Sequence, residues 1–404
     1  MPAPAPLPRG PSVLTLYSAA DLLTAPGCPV CRYVTEASDR YLGWFALEGH
    51  AQSAAITRLC SSLGMCAGHT RRAMSQPGAA IRLTAVYRYV VTAAGDRLAE
   101  RKARPAACPA CEHDEAAAWR AVDTLLEDLA DPSVLDRFRE LGGLCLPHLA
   151  AAITRSRRMA LLAETAQERI AARDLRCDWL AGTDHDAETR SVLRRAVPAT
   201  GSPGAAACAP CLAGAQAEQD TLTRLPAVAS DGPDPALTLC ASHLADAAMV
   251  AGARGMRPLL AWQMQCLTSR LPAGRAQWLR AGPRRRDISG CAVCRAGRAA
   301  AQRGLASLSD APQLQVTDAA LCVRHHLVLL AAEPRRAQLF APSAVRRADQ
   351  LAAELADAFD RISRAYSTGT PAPESTAWQR AAAFLDGSVF GGRCQPPPAD
   401  AVHQ

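Results

Sequence analysis

Eight short clusters of thiols and imidazoles carry the chemistry this sequence could do. Four are C-x-x-C pairs: Cys28 and Cys31, Cys108 and Cys111, Cys208 and Cys211, Cys291 and Cys294. Four are C-x-x-H pairs: Cys66 and His69, Cys145 and His148, Cys240 and His243, Cys322 and His325. The two kinds alternate along the chain, with 34, 33, 28 and 27 residues between each C-x-x-C and the C-x-x-H after it. A C-x-x-C turn sets two thiolates on one side of a tight loop, and a helix that follows directly stabilises their charge through its free N–H groups and dipole. In C-x-x-H the i, i+3 offset places both side chains on one helix face. Joining the two pieces as a helical hairpin closes a Cys3His site. Zinc is the default ion, since it accepts mixed sulfur and nitrogen ligands and four protein ligands leave no open position. The expectation is sixteen ligands and about four zinc ions, one in each repeat.

Other uses of these cysteines explain less. A disulfide framework accounts for paired cysteines but not for a histidine at one offset four times. A thioredoxin-type dithiol needs one C-x-x-C in a βαβ context. Haem attachment needs C-x-x-C-H, and Arg32, Glu112, Leu212 and Arg295 hold that position. A Cys3His iron–sulfur cluster is the remaining alternative to zinc. Cys60, Cys177, Cys266 and Cys394 lie outside the pattern. The first three read as packing residues and Cys394 as an exposed residue of the tail. His326 reads as a solvated neighbour of His325. The apolar residue before each third cysteine (Met65, Leu144, Leu239, Leu321) is suited to plugging a hairpin core beside the metal.

Composition bounds the rest. At 404 residues the chain exceeds one typical core. Its formal charge is +7, but Lys102 is the sole lysine, so the arginine excess reflects compositional bias. Four Cys3His zinc sites, each a net −1, would lower the charge to about +3. Charge therefore does not demand a nucleic-acid partner. Arg284-Arg285-Arg286, Arg335-Arg336 and Arg346-Arg347 read first as solvated helix ends and loops. No apolar run nears a membrane-spanning length, and residues 1–27 show no signal-peptide pattern. A cytoplasmic, reducing setting is expected, in which clustered cysteines hold metal.

The elements that must position the clusters are helical. Arg32–Leu47, Ala54–Leu63 with a stop at Gly64, Glu112–Leu129 and Val134–Leu141 all show apolar spacings of three and four. Residues 81–98 are rich in β-branched side chains and could form a strand, but read as helix by analogy with the other repeats. A helical pattern also runs through Met159, Leu162, Ala166, Ile170 and Cys177. In the last two repeats, Asp231–Pro235 and Ser309–Pro312 read as loops where the first two have a short helix. Ser343 reads as an N-cap behind Pro342. From there Val345, Ala348, Ala352, Leu355, Phe359, Ile362 and Tyr366 form a heptad-like face. A last amphipathic piece carries Trp378, Ala381, Ala382 and Leu385. The fold class expected is all-α, with four tandem zinc-stapled hairpins in two two-repeat halves: a disordered tail 1–24, a first pair 25–195, a linker 196–207, a second pair 208–390 and a tail 391–404.

The C-P-x-C…[L/M]-C-x-x-H unit, repeated on Ala- and Arg-rich helices from residue 25 to about 390, resembles an uncharacterised family of bacterial proteins. Members carry repeated cysteine–histidine hairpins, and many end in a Trp-containing helix like that at Trp378. The third repeat departs by placing Ala-Pro inside its first pair. The resemblance implies an all-α, metal-binding protein and brings no reaction. The leading expectation for function is a non-enzymatic interaction or scaffold module with a protein partner. A thiol-based redox or metal sensor and a nucleic-acid-binding zinc protein are the alternatives. A metalloenzyme would need an open coordination position.

Overall fold

Each amphipathic pattern that falls on described residues becomes a helix, and no β-strand is present among them. The computed structural model describes residues 18–74, 76, 79–100, 105–145, 148–149, 152, 208–231, 239–240, 243–244, 246–247, 250, 258–263, 291–310, 321–369 and 377–386. The helices are α1 (Ala19–Leu22), α2 (Pro29–Leu47), α3 (Ser53–Ser61), α4 (Ala67–Met74), α5 (Ala79–Ala99), α6 (Pro109–Asp128), α7 (Pro132–Glu140), α8 (Ala209–Asp231), α9 (Ala292–Asp310), α10 (Val323–Ala332), α11 (Pro334–Thr368) and α12 (Ala377–Asp386). The pattern at 159–177, the linker 196–207 and the tail 391–404 lie outside the described residues.

Local chemistry explains the boundaries. Pro29 and Pro109 occupy the first helical position of α2 and α6, where a missing N–H costs nothing. Asp131 caps α7 by accepting from the Ser133 N–H at 2.8 Å. The exits of α3 and α7 are one turn built twice. Leu63 and Gly64 hold φ of 58° and 93°, and Gly142 and Gly143 hold 100° and 65°. Gly64 N–H donates to Leu59 O at 2.8 Å, and Gly143 N–H to Phe138 O at 2.9 Å.

The described contacts cluster into two compact units, and each draws on both halves of the sequence. Unit 1 comprises Met1–Trp44, Ala110–Glu188 and Gln219–Arg295; unit 2 comprises Phe45–Pro109, Thr189–Glu218 and Ala296–Gln404. The division expected at 196–207 would have given each half its own body. The reason for the difference lies in the cores. Unit 1 buries one continuous apolar cluster that joins Leu22, Val30 and Tyr33 to Leu125 and Phe138, and also to Leu222, Leu244 and Trp262. In unit 2 the largest packed surface is α5 against α11, flanked by α3, α4, α10 and α12.

Four expectations are corrected. The tail ends before Ala19, because α1 buries Ala19 and Leu22 in the unit 1 core and Ala19 N–H donates to Asp128 Oδ2 at 2.7 Å. Helix α9 runs through Ser309 to Asp310 instead of ending in a loop there. Helix α11 begins at Pro334 and carries Pro342 inside it; buried Ala337 and Phe340 before the proline and Ala344 and Ala348 after it hold the helix continuous. The buried face of α11 is Ala344, Ala348, Leu351, Leu355, Ala358 and Ala365, rotated about one residue from the heptad expected, and Tyr366 is 84% exposed. Ala348 and Leu355 belong to both faces, and α11 comes close to α5 at the first of them: a Cβ on Gly95 would stand 3.1 Å from the Ala348 Cβ. The residues at 81–98 are helical, and their branched side chains Val86, Val90 and Val91 are buried.

Candidate metal centres

Six of the eight clusters start a described helix, and in the other two His148 and His243 are themselves helical. The carbonyls of Cys28, Cys66, Cys145, Cys208, Cys240, Cys291 and Cys322 each accept the N–H of the residue four ahead, at 2.8 to 3.2 Å. The first residue of each pair is thus the N-cap and the second stands at N3. At α10 the Cys322 sulfur also accepts the His325 N–H at 3.5 Å, an N-cap bond made by a thiol. A thiolate in this position faces the positive end of the helix dipole, the arrangement that favours its ionised form.

The sixteen residues gather into four groups of four, whose candidate ligand atoms lie within 4.8 Å of one another. The grouping differs from the hairpin closure expected. Cys28 and Cys31 meet Cys145 and His148, whereas Cys66 and His69 meet Cys108 and Cys111. The second half repeats the scheme: Cys208 and Cys211 meet Cys322 and His325, and Cys240 and His243 meet Cys291 and Cys294. In each half an inner quartet is nested inside an outer one. Helix lengths give the reason. Helix α2 has 19 residues and α3 has 9, so the outward leg is about 28 Å and the return about 14 Å. Cys66 therefore stops well short of the head of α2. The 20-residue α6 and 9-residue α7 fall short in the same way. Backbone bonds mark the exchange: Gly27 N–H donates to Leu141 O, and Ala106 N–H to Ser61 O, both at 2.9 Å.

Within the quartets the histidine presents Nδ1 each time. Cys28, Cys31 and Cys145 sulfurs lie 3.5, 3.3 and 3.2 Å from His148 Nδ1. Cys208, Cys211 and Cys322 lie 3.4, 3.2 and 3.3 Å from His325 Nδ1. Cys240, Cys291 and Cys294 lie 3.4, 3.3 and 3.3 Å from His243 Nδ1. Cys66 and Cys108 lie 3.2 and 3.8 Å from His69 Nδ1. Sulfur–sulfur separations are 3.7 Å for Cys31 and Cys145, 3.8 Å for Cys211 and Cys322, and 3.9 Å for Cys240 and Cys294. These are far beyond a disulfide bond of about 2.05 Å, and the described cysteines form no disulfide.

The electrostatics call for a cation. Hydrogen bonds from Cys145 and Cys28 hold the Cys31 thiol far below its ordinary range, while burial and the facing sulfurs push Cys145 up. Burial lowers the His148 pKa, but hydrogen bonds and charge from Cys28 and Cys31 outweigh it and raise it to about 10. Hydrogen bonds with Cys211 and then Cys322 hold Cys208 down while those with Cys208 and Cys211 push Cys322 up, and hydrogen bonds with Cys240 and then Cys294 hold Cys291 down while those with Cys240 and Cys291 push Cys294 up. Three clustered thiols cannot all ionise unless positive charge sits among them. Each quartet is a group that could hold a metal ion.

Two supports were not visible as motifs. Gln263, fully buried, accepts from Leu239 N–H at 3.0 Å and donates to Leu239 O at 2.9 Å, fixing the residue before Cys240. Thr70 Oγ1 donates to Met65 O at 3.1 Å and lies 2.8 Å from Tyr87 Oη, fixing the residue before Cys66. A polar side chain about 20 residues past a C-x-x-H was the only available signal. Met65, Leu144 and Leu239 are buried, as plugs beside a metal would be, whereas Leu321 is only half-buried. His326 is buried too, not solvated, and burial pulls its pKa down to about 4. Cys60 is half-buried, whereas Cys177, Cys266, Cys394 and Arg284–Arg286 lie outside the described residues. Arg336 donates to Leu308 O at 3.1 Å, and Arg347 pairs with Glu354 at 3.7 Å. No family model matches the chain, and no curated protein or solved structure matches it.

Proposed function

We propose that the chain is a zinc-binding helical protein whose four ions act as staples, and that the stapled body serves as an interaction or scaffold module for a protein partner. The observation that carries this is the edge length of the quartets. A tetrahedron with zinc–sulfur bonds of about 2.3 Å and zinc–nitrogen bonds of about 2.0 Å has edges of about 3.8 and 3.6 Å. The sulfur–sulfur separations of 3.7 to 3.9 Å in three quartets and the sulfur–nitrogen separations of 3.2 to 3.8 Å, within quartets no more than 4.8 Å across, are compatible with a single central ion. An iron–sulfur cluster, several ångströms wide, would spread its ligands further. Zinc would supply a crosslink and neutralise the thiolates, and its binding energy, about 10–16 kcal/mol in zinc-finger peptides, would become folding energy. With four protein ligands a centre keeps no position for substrate, which favours a structural role over an enzymatic one.

Metal analysis of the purified chain, paired with a co-purification screen, tests the reading. About four zinc ions per chain and a specific protein partner are expected; a metal-free native protein, or iron in place of zinc, overturns it. The redox or metal-sensor alternative gains one observation, the exposure of Cys111. Nothing among the described residues favours nucleic acid: Arg336 and Arg347 are engaged within the chain.

A further inference from the structure

We propose that the quartet of Cys66, His69, Cys108 and Cys111 is the exchange site, from which zinc passes to an incoming small-molecule thiolate or chelator while the other three ions stay bound. This deepens the zinc-binding reading and rests on it. Ligand exchange at a four-coordinate ion without d-electron preference begins when the newcomer reaches the metal, so access decides the rate. In the first outer quartet Cys31 and Cys145 are buried, in the second Cys208, Cys322 and His325, and in the second inner quartet Cys291 and His243. In the first inner quartet His69 is buried, but Cys111 is exposed, alone in this among the described cysteines, and Cys66 and Cys108 are half-buried. The site is one-sided. On its buried side Thr70 and Tyr87, both buried, lie 2.8 Å apart and fix the residue before Cys66. Its mouth is Cys111. The spacing of 3.8 Å between Cys108 Sγ and His69 Nδ1 exceeds the 3.2 to 3.5 Å between sulfurs and Nδ1 in the other three quartets.

The step balances simply. Cys66, His69, Cys108 and Cys111 would hold the ion; an incoming thiolate would take the place of the Cys111 sulfur, which would be left as a thiol after taking a proton from water. Cys111 stands at N3 of α6, and Cys108 remains at the N-cap, so the helix keeps its start while one ligand leaves.

The test uses the full-length, zinc-loaded protein and a chromophoric zinc chelator in excess. One zinc per chain is expected to transfer at least tenfold faster than the rest. Cys111→Ser should abolish that fast phase, whereas Cys294→Ser, in another quartet, should keep it. Alkylation of the loaded protein with N-ethylmaleimide, mapped by mass spectrometry, should mark Cys111 first among the sixteen ligands. Uniform release of all four ions, or first alkylation in another quartet, overturns the exchange site and leaves the zinc reading intact. A native protein without zinc overturns both.

Discussion

Gln263 shows how a single amide can set a metal site it never touches. It satisfies both backbone groups of Leu239 in a fully buried position, so Gln263→Leu strands a buried N–H and a buried C=O. Each orphan costs about 1–3 kcal/mol. The variant should melt at a lower temperature and should lose the zinc of the Cys240 quartet first, as read by chelator titration. His50 offers a pH test. Burial, and then the Arg82 charge, lower its pKa, so folding favours the neutral ring, and its contribution to stability is lost as pH falls below the ordinary histidine value of about 6.5. Arg82→Gln should raise the His50 pKa in an NMR titration yet leave it depressed, because burial remains. All sixteen quartet residues were legible from spacing alone, because a thiol or imidazole at a fixed offset is a local signal. Gln263 and Tyr87 were not, because what marks them is a contact made far along the chain.

Among the elements, helix identity was readable and partner identity was not. The period of three to four apolar residues marks a helix wherever it packs. Which C-x-x-H completes a C-x-x-C depends on the unequal lengths of α2 and α3, and of α6 and α7. The buried face of α11 was read only in part for a related reason: Ala348 and Leu355 lie on it as expected, but whether Ala344, Leu351 and Ala358 or Val345, Ala352 and Phe359 flank them depends on the helices packed alongside, α5 above all. Zinc counting tests the nested pairing. Cys28→Ser and Cys145→Ser strike one quartet, so the double variant should hold about three ions. Cys28→Ser with Cys66→Ser strikes two and should hold about two; closure within each hairpin would reverse these counts. At the exit of α3, Gly64 has a φ of 93°, and an added Cβ would meet nothing closer than 3.6 Å. Gly64→Ala should therefore cost roughly 1 kcal/mol from backbone strain alone, measured by denaturant unfolding.

At the scale of the molecule, metal sites and apolar cores obey different partitions. Residues 1–195 contain two whole quartets and residues 208–404 the other two, yet the unit 1 core needs side chains from both stretches. Either fragment alone should bind about two zinc ions but expose apolar surface, giving strong ANS fluorescence and no sharp thermal transition. Mixing the fragments should restore one. The low-complexity stretch at 196–207 suggested a simple division because composition reports where a chain is loosely constrained, not which side chains later share a core. The nested closure also bears on biosynthesis. Cys28 waits for His148, 120 positions later, which at the pace of a ribosome is about 6 to 24 s. Throughout that interval the earliest thiols of a nascent chain stand without their eventual companions, so the proposed zinc staples would require those thiols to be kept reduced at the ribosome exit and not only in the finished product.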